Sequence, residues 1–179
     1  MPDRQPFSIK QLSADDLEKY ITQLADLLHA CVHAGASIGF VMPFSQTDAE
    51  DYWASRVLSA VQTNSIIVLA AIAGDELVGS VQLDIDTMPN QPHRAEVLKL
   101  LVQPGFRRQG IAKTLMLEIE KIAEEHTRSL LTLDTRTGDI AEPLYTSLGY
   151  KIAGVIPGYC LDTFEDRLDA TTIMYKTLQ

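Results

Sequence analysis

Two apolar strands joined by a long helix set the topology of this sequence. Residues 96–102 and 130–135 are short apolar runs of the kind found in buried strands, and residues 110–126 between them read as a long helix. A strand, a helix and a second strand in succession require a crossover connection, which places the two strands side by side and parallel. We therefore predict a parallel pair of strands within the sheet.

The remaining segments predict two further helices in the first third of the chain and a short one near its end. Ser13 can cap a helix with a single apolar stripe, and Thr47 with Glu50 fits a capping box that begins a second helix. The stripe of the first helix consists of Leu17, Ile21, Leu24, Leu28 and Cys31. Asp139 begins a segment that can cap a short helix, which ends at Gly149.

Five more strands complete the predicted sheet. They are expected at residues 7–11, 66–72, 81–85, 150–156 and 170–176. In the third of these segments Val81 and Leu83 alternate with Gln82 and Asp84, which is typical of a strand with one polar face. No repeat or low-complexity segment divides the chain, so we predict that residues 1–179 form one α/β domain of the α+β kind. Its sheet should be mixed, largely antiparallel and seven-stranded, with helices on both faces.

The charge of the chain restricts its partners. The formal net charge is -9, so we expect no nucleic-acid partner and no general attraction to an anionic membrane. Residues 97–113 are an exception, because they contain four basic residues and no acidic one. These residues are Lys99, Arg107, Arg108 and Lys113. Any binding of an anionic ligand is therefore expected in this segment.

Location and cysteine chemistry follow from equally simple patterns. The first ten residues contain no apolar signal region, and the longest apolar run, residues 66–74, is about half as long as a membrane-spanning helix. We therefore expect a cytoplasmic protein.

Cys31 and Cys160 lie far apart and lack the spacing of a zinc site, so we expect two unpaired thiols.

The loop after residue 102 is suited to a phosphate group. Gly110 and Ala112 are small enough to let a ligand approach the backbone, and the first free N–H groups of the following helix lie at the positive end of its dipole. No Lys-Ser or Lys-Thr pair follows, as it would in a Walker A loop, and the dinucleotide pattern Gly-x-Gly-x-x-Gly is absent. Ordinary nucleotide sites are therefore not favoured.

Two motifs resemble those of the GNAT superfamily of acetyl-CoA-dependent N-acetyltransferases. Residues 107–112 match the loop pattern Arg/Gln-x-x-Gly-x-Gly/Ala, and residues 141–150 match the later segment Ala-x-x-Leu-Tyr-x-x-x-Gly-Phe/Tyr. The resemblance implies a GNAT-like sheet whose parallel strands splay apart, with acetyl-CoA as co-substrate in the opening. No metal is expected, because His29 and His33 lack further ligands at suitable spacing. The implied acetyl-CoA contacts are Leu100, Leu101, Val102, Arg107, Arg108, Gln109, Gly110, Ile111, Ala112 and Lys113.

A closer resemblance is to the tabtoxin-resistance acetyltransferase group. Four scattered segments are similar, at residues 32–40, 94–97, 133–135 and 157–160. Within and beside these segments we predict acceptor contacts from His33, Ser37, Phe40 and Tyr159. Gly138 departs from the family, because Asn is frequent three residues before the alanine of the helix motif, and one CoA contact is therefore expected to be missing.

The resemblance also implies catalytic residues. An alkylammonium with a pKa near 10.4 must lose a proton before it attacks, at a cost of about 4–5 kcal/mol at pH 7. Glu96 matches the base of histone-type members, Asp134 ends the neighbouring parallel strand, and Tyr145 matches the general-acid tyrosine of many members. Backbone N–H groups near Leu101 and Val102 would stabilise the carbonyl oxygen of the acetyl group.

Each of these residues also has a purely structural interpretation. Glu96 can pair with a neighbouring basic residue, Asp134 can cap a turn, and the Tyr145 ring can pack under the pantetheine arm. His33 can simply end the first helix. The acidic residues between Asp162 and Asp169 can either attract a cationic acceptor or remain solvated.

The sequence thus predicts a direct transfer of acetyl to a primary amine of a small molecule, such as a toxin or an amino-acid-like compound. Two alternatives remain open at this point. One is a protein or peptide N-acetyltransferase, and the other is a CoA-binding regulatory module without catalysis. A homodimer is also left open.

Overall fold

The computed structural model describes residues 6–179 and contains one seven-stranded sheet. The strands are β1 Ser8–Gln11, β2 Ile66–Ala73, β3 Glu76–Asp84, β4 Arg94–Val102, β5 Leu130–Arg136, β6 Lys151–Leu161 and β7 Leu168–Thr177. Their spatial order is β1-β2-β3-β4-β5-β7-β6. Only β4 and β5 are parallel, and the other neighbours are antiparallel. The prediction of a mixed, largely antiparallel sheet with a parallel pair is confirmed.

The helices lie where the sequence predicts them. They are α1 Ala14–His33, α2 Gln46–Asp51, α3 Leu58–Gln62, α4 Ile111–Glu125 and α5 Glu142–Ser147. A π-helical segment, Tyr52–Val57, joins α2 to α3. No helix in the described part of the chain combines the length and the apolar character that crossing a membrane requires. The first five residues, which belong to the N-terminal segment used to predict location, lie outside the described residues.

The cap of the second helix differs from its prediction. Ser45 accepts the backbone N–H of Asp48 at 3.1 Å, and the Asp48 carboxylate accepts the backbone N–H of Ser45 at 2.8 Å. The capping box therefore involves Ser45 and Asp48, and the expected box of Thr47 and Glu50 is wrong. Both pairs have the same spacing, and the earlier pair begins the helix two residues upstream, which places Thr47 in its first turn.

Apolar side chains cover both faces of the sheet. On one face, here called the α4 face, Leu115, Met116 and Ile119 of α4 pack with Val81 and Leu83 of β3. On the other, here called the α1 face, the predicted stripe of α1 packs with α2, the π-helical segment, Trp53 and Val68. Because strand side chains alternate, neighbouring residues of the central strands point into different cores.

The parallel pair separates after three residue pairs. The pairing of β4 with β5 runs from Arg94 opposite Leu130 to Glu96 opposite Thr132. Shortly beyond it β4 has a bulge, since two residues, Lys99 and Leu100, lie opposite one residue of β3. A bulge bends its strand and turns side chains to new directions. The remaining parts of β4 and β5 therefore border an opening in the sheet.

Candidate active site

Glu96 lies at the last pair before the opening. Ala95 and Val97 belong to the core of the α4 face, so the Glu96 side chain is on the α1 face. An Arg94 guanidinium nitrogen is 3.7 Å from its carboxylate. Burial, and then the nearby carboxylates of Asp134 and Asp84, raise the pKa of Glu96 above its usual value, against the opposing effects of Arg94 and Lys99.

Asp134 lies beyond the last parallel pair, on β5. Leu131 and Leu133 belong to the core of the α4 face, so alternation places Asp134 on the α1 face with Glu96. Its carboxylate accepts a hydrogen bond from the Thr171 hydroxyl at 3.1 Å. The structure thus brings the two predicted carboxylates to the same side of the opening.

Tyr145 approaches from the opposite face. It belongs to α5, only 7% of it is exposed, and its ring centroid is 5.9 Å from that of Tyr150. Burial first, and then the charges of Asp139 and Asp134, raise the pKa of Tyr145 well above its usual range. The phenol therefore retains its proton at neutral pH and can donate a hydrogen bond.

The start of α4 has the shape of an anion-binding cradle. Gly110 is the residue before the helix and has φ +92°. Arg108, two residues earlier, has φ +64°. A Cβ on Gly110 would meet no protein atom within 4 Å, so the backbone is open to a ligand. The N–H groups of Ile111, Ala112 and Lys113 belong to the first turn, where an α-helix offers them no partner. A phosphate group fits these donors.

The basic segment is divided between two places in the structure. Arg108 and Lys113 are exposed at the start of α4. Arg107 is half-buried, and its Nε donates to the carbonyl of Val102 at 3.4 Å. Lys99 extends instead to the rings of the α1 face. The basic residues of this segment therefore do not form one patch, because the bulge in β4 turns Lys99 away from the loop.

The predicted acceptor residues lie around the segment between α1 and α2. The Ser37 hydroxyl is 3.7 Å from the Cys160 sulfur, and the Phe40 ring packs against Tyr52 with centroids 5.3 Å apart. His33 is the last residue of α1, and its Nε2 contacts the carbonyl of Phe44 at 2.9 Å. Tyr159 is on β6 and is 52% exposed.

The segment between β6 and β7 closes over this region. The Thr163 carbonyl accepts the backbone N–H of Met42, and the Thr163 hydroxyl donates to the carbonyl of Ala36 at 3.2 Å. Two connections, one from each end of the chain, are thereby held together above the α1 face. They form a wall on the face of the sheet that also carries Glu96 and Asp134.

The acidic run from 162 to 169 has a structural role in this wall. Asp162 accepts backbone N–H groups from Phe164 and Glu165 at 2.9 and 3.0 Å, and it also pairs with Arg136 and Arg167. These backbone bonds lower the pKa of Asp162 to about 2. Of the two interpretations given for this run, attraction of an acceptor is the less favoured for Asp162, because its charge is matched within the chain.

Sequence reasoning missed a cluster of three polar residues on the α1 face, which are Gln82, Tyr52 and Lys99. Gln82 is fully buried and accepts a hydrogen bond from the Tyr52 hydroxyl at 3.2 Å, whereas alternation along β3 suggested a solvent-facing side chain. Lys99 lies near the same tyrosine. The error arises because alternation identifies two faces of a strand but does not show that helices cover both.

Among residues 6–179 no group of three or more His, Cys, Asp or Glu side chains is arranged to hold a metal ion.

Comparison with known proteins agrees with this geometry. Residues 22–150 match the acetyltransferase (GNAT) family model, which covers well over half of the chain. The chain belongs to the GNAT family of acetyltransferases and is therefore an enzyme that uses acetyl-CoA as donor.

Individual relatives define how far the similarity extends. The chain is 31% identical over 122 residues to the spermidine N(1)-acetyltransferase of Thermoplasma acidophilum, covering 65% of this chain and 70% of that protein. A solved structure from Acinetobacter baylyi has a TM-score of 0.81 at 17% identity, covering 99% of this chain and 95% of the other. The Salmonella typhimurium protein yncA, with its cofactor acetyl-CoA, has a TM-score of 0.77 at 15% identity, covering 97% and 95%. At such identities the two structures show a shared fold.

Proposed function

We propose that this acetyltransferase moves the acetyl group of acetyl-CoA directly to a primary amine of a small molecule. The observation that carries the proposal is the opening between β4 and β5, with two carboxylates on the α1 face and a buried tyrosine on the α4 face. The reaction forms the N–C bond of an amide and breaks the C–S bond of a thioester. It therefore needs a proton acceptor near the amine and a proton donor near the sulfur.

The donor would be held at the start of α4 and along the end of β4. When bound, acetyl-CoA supplies the acetyl group as an activated thioester. The N–H groups of residues 109–113 would bind its phosphates, with the exposed side chains of Arg108 and Lys113 beside them. Arg107 would support this site through its bond to the Val102 carbonyl. The main chain of Leu100–Val102, beyond the last pair with β5, would orient the acetyl group.

Glu96 would accept the proton of the amine, and Asp134 would bind the ammonium before that step. The raised pKa of Glu96 supports this division, because a stronger base lowers the cost of deprotonation at neutral pH. Asp134, which is exposed and fixed by Thr171, is placed to attract the incoming cation. Tyr145 would then donate its phenol O–H to the leaving sulfur, since its hydroxyl is un-ionised at neutral pH.

The class of acceptor rests on two kinds of support. The relative from Thermoplasma acidophilum is named for a small amine, spermidine. The carboxylates of Glu96, Asp134 and Asp84 also give this side of the opening a negative charge that suits an ammonium group. Membership of the tabtoxin-resistance group, and a toxin as acceptor, stay predictions that rest on the four similar segments.

An acceptor panel tests the proposal. Acetyl-CoA would be incubated with diamines, amino acids and short peptides, and free CoA would be followed with Ellman's reagent. We expect release that depends on at least one small amine, which gains the mass of one acetyl group. Acetylation of peptides alone would contradict the small-molecule acceptor, and binding of acetyl-CoA without release for any amine would favour a regulatory module.

We also propose that residues 1–179 form one domain that pairs as a homodimer. Strand β6 lies at the edge of the sheet and exposes Ile152, Val155 and Ile156, each by 44% or more. An exposed apolar edge strand is suited to pair with the same strand of a second copy. Light scattering would show a dimer for the wild type and a monomer for Val155→Asp. A cytoplasmic location stays a prediction.

A further inference from the structure

A lysine on the α1 face has no role in the transfer described above. Lys99 lies in the β4 bulge and has φ +50°, a conformation that is uncommon for a residue with a side chain. Its Nζ is 5.8 Å from the ring centroid of Phe40 and 5.9 Å from that of Tyr52. It is also 3.7 Å from the position that a Cβ on Gly39 would take. The bulge thus directs the ammonium beneath the segment that joins α1 to α2.

The ammonium of Lys99 has no anionic partner in the described part of the chain. The ion pairs within residues 6–179 include Arg94 with Glu96 and Lys10 with Asp16, but none includes Lys99. Burial, followed by repulsion from Arg56, lowers the pKa of Lys99, while Asp134 and Glu96 oppose this effect. The two aromatic rings stabilise a cation but satisfy none of its three hydrogen-bond donors. A half-buried ammonium in this state can still bind an anion that comes from outside the chain.

A second unpartnered donor lies on the same face. Gln82 is fully buried, and its Oε1 accepts the hydrogen bond of the Tyr52 hydroxyl. Its Nε2 has no hydrogen-bond partner among residues 6–179. Gln82 is paired with Leu98, the residue before Lys99. Buried amide donors are almost always satisfied, so a missing partner on this face indicates a ligand with an acceptor oxygen.

The two unpartnered donors lie beside the carboxylates and give the site two poles. Glu96 is three residues before Lys99 on β4. Asp134 lies on β5, across the opening from Glu96. One side of the site therefore attracts an ammonium, and the other side attracts an anion. A polyamine such as spermidine would meet a positive charge at the second pole, which opposes its binding.

We propose, on the basis of the function proposed above, that Lys99 and Gln82 bind a carboxylate of the acceptor, so that the acceptor class is an amine that also carries a carboxylate. The amine of such a molecule lies at Glu96 and Asp134, and its carboxylate lies under Phe40. Lys99 and Gln82 thereby determine specificity without contact to the reacting atoms.

Matched acceptors test the proposal directly. Each pair consists of an amino acid and its decarboxylated amine, such as lysine with cadaverine and ornithine with putrescine, and kcat/KM is measured for both. The wild type should prefer the amino acid at least about tenfold, the effect of one charge-assisted hydrogen bond. Lys99→Met should bring the two values to within about threefold of each other. Lys19→Met is the control, because Lys19 also lies over a tyrosine ring, 5.4 Å from the centroid of Tyr20, but on the exposed side of α1.

Two further measurements test the proposal without relying on the folding of a single variant or on turnover. Gln82→Glu preserves shape and adds a negative charge, so it should reverse the preference toward the diamine. Calorimetry with N-acetyl-lysine and N-acetyl-cadaverine, in the presence of CoA, measures the same preference without catalysis. Equal wild-type values for both members of every pair, or a Lys99→Met variant that keeps the wild-type ratio, would overturn the carboxylate site. Selective binding without turnover would support that site and contradict the proposed function.

Discussion

Replacing Gly110 by alanine separates backbone strain from ligand exclusion at the start of α4. Gly110 has φ +92°, a conformation that costs a residue with a Cβ about 1–2 kcal/mol. The added Cβ would meet no protein atom within 4 Å, so no clash increases this cost. We therefore expect Gly110→Ala to lower the free energy of unfolding by about 1–2 kcal/mol.

The affinity for acetyl-CoA should fall at the same time. The Cβ would occupy the open space through which a phosphate reaches the N–H groups of Ile111 and Ala112. A hydrogen bond to a charged group contributes about 1.5–3 kcal/mol, so loss of one bond should raise Kd at least about tenfold. Calorimetric titration with acetyl-CoA measures Kd, and urea unfolding measures stability in the same preparations.

Gly105→Ala provides the matched control. Gly105 lies in the same loop, also has open space around its Cβ position, and does not have a positive φ. Its replacement should change the free energy of unfolding by no more than about 0.5 kcal/mol and leave Kd unchanged. A Gly110→Ala variant that binds acetyl-CoA with the wild-type Kd would refute the cradle.

Three more substitutions test the other parts of the site. Tyr145→Phe should lower kcat at least about tenfold while Kd for acetyl-CoA changes little, because the ring still packs; weaker binding with normal kcat would make Tyr145 structural. Glu96→Gln should lower kcat about 100-fold and remove an acidic limb of the pH–rate profile that lies above the usual glutamate range, whereas Asp134→Asn should chiefly raise KM. Asp162→Asn should reduce the stability of the protein to urea at neutral pH. Because the pKa of Asp162 is about 2, this effect should become progressively smaller as pH falls from about 4 toward about 2. An equal loss of stability at all pH values would exclude this linkage.

The fold follows from the sequence because its signals are local. The stripe of α1 has the helical period, and the crossover from β4 to β5 fixes their parallel order whatever surrounds them. Glu96 and Asp134 could be placed together for the same reason, since they lie on neighbouring parallel strands. The choice between Ser45 and Thr47 as a cap was not accessible, because two equivalent motifs overlap.

The parts that sequence reasoning missed depend on contacts between distant segments. Lys99 changes direction because β4 has one residue more than β3 between two paired positions, and residue patterns do not reveal such a bulge. Gln82 is buried because α1 and the π-helical segment cover a face that alternation alone presents as polar. The hydrogen bond from Arg107 to the Val102 carbonyl likewise depends on the folded shape of the loop, which residue patterns do not reveal.

Direct transfer from acetyl-CoA to a small amine is the central claim, and a single-turnover experiment with isotopically labelled acetyl-CoA tests it. Enzyme in excess over the donor would be mixed with an acceptor from the panel, stopped at successive times and analysed by mass spectrometry of both protein and small molecules. The account predicts that label passes to the amine at the rate of CoA release and that the protein, including Cys160, gains no acetyl group at any time. Label that appears first on the protein and then on the amine, or label that remains on the protein, would contradict it.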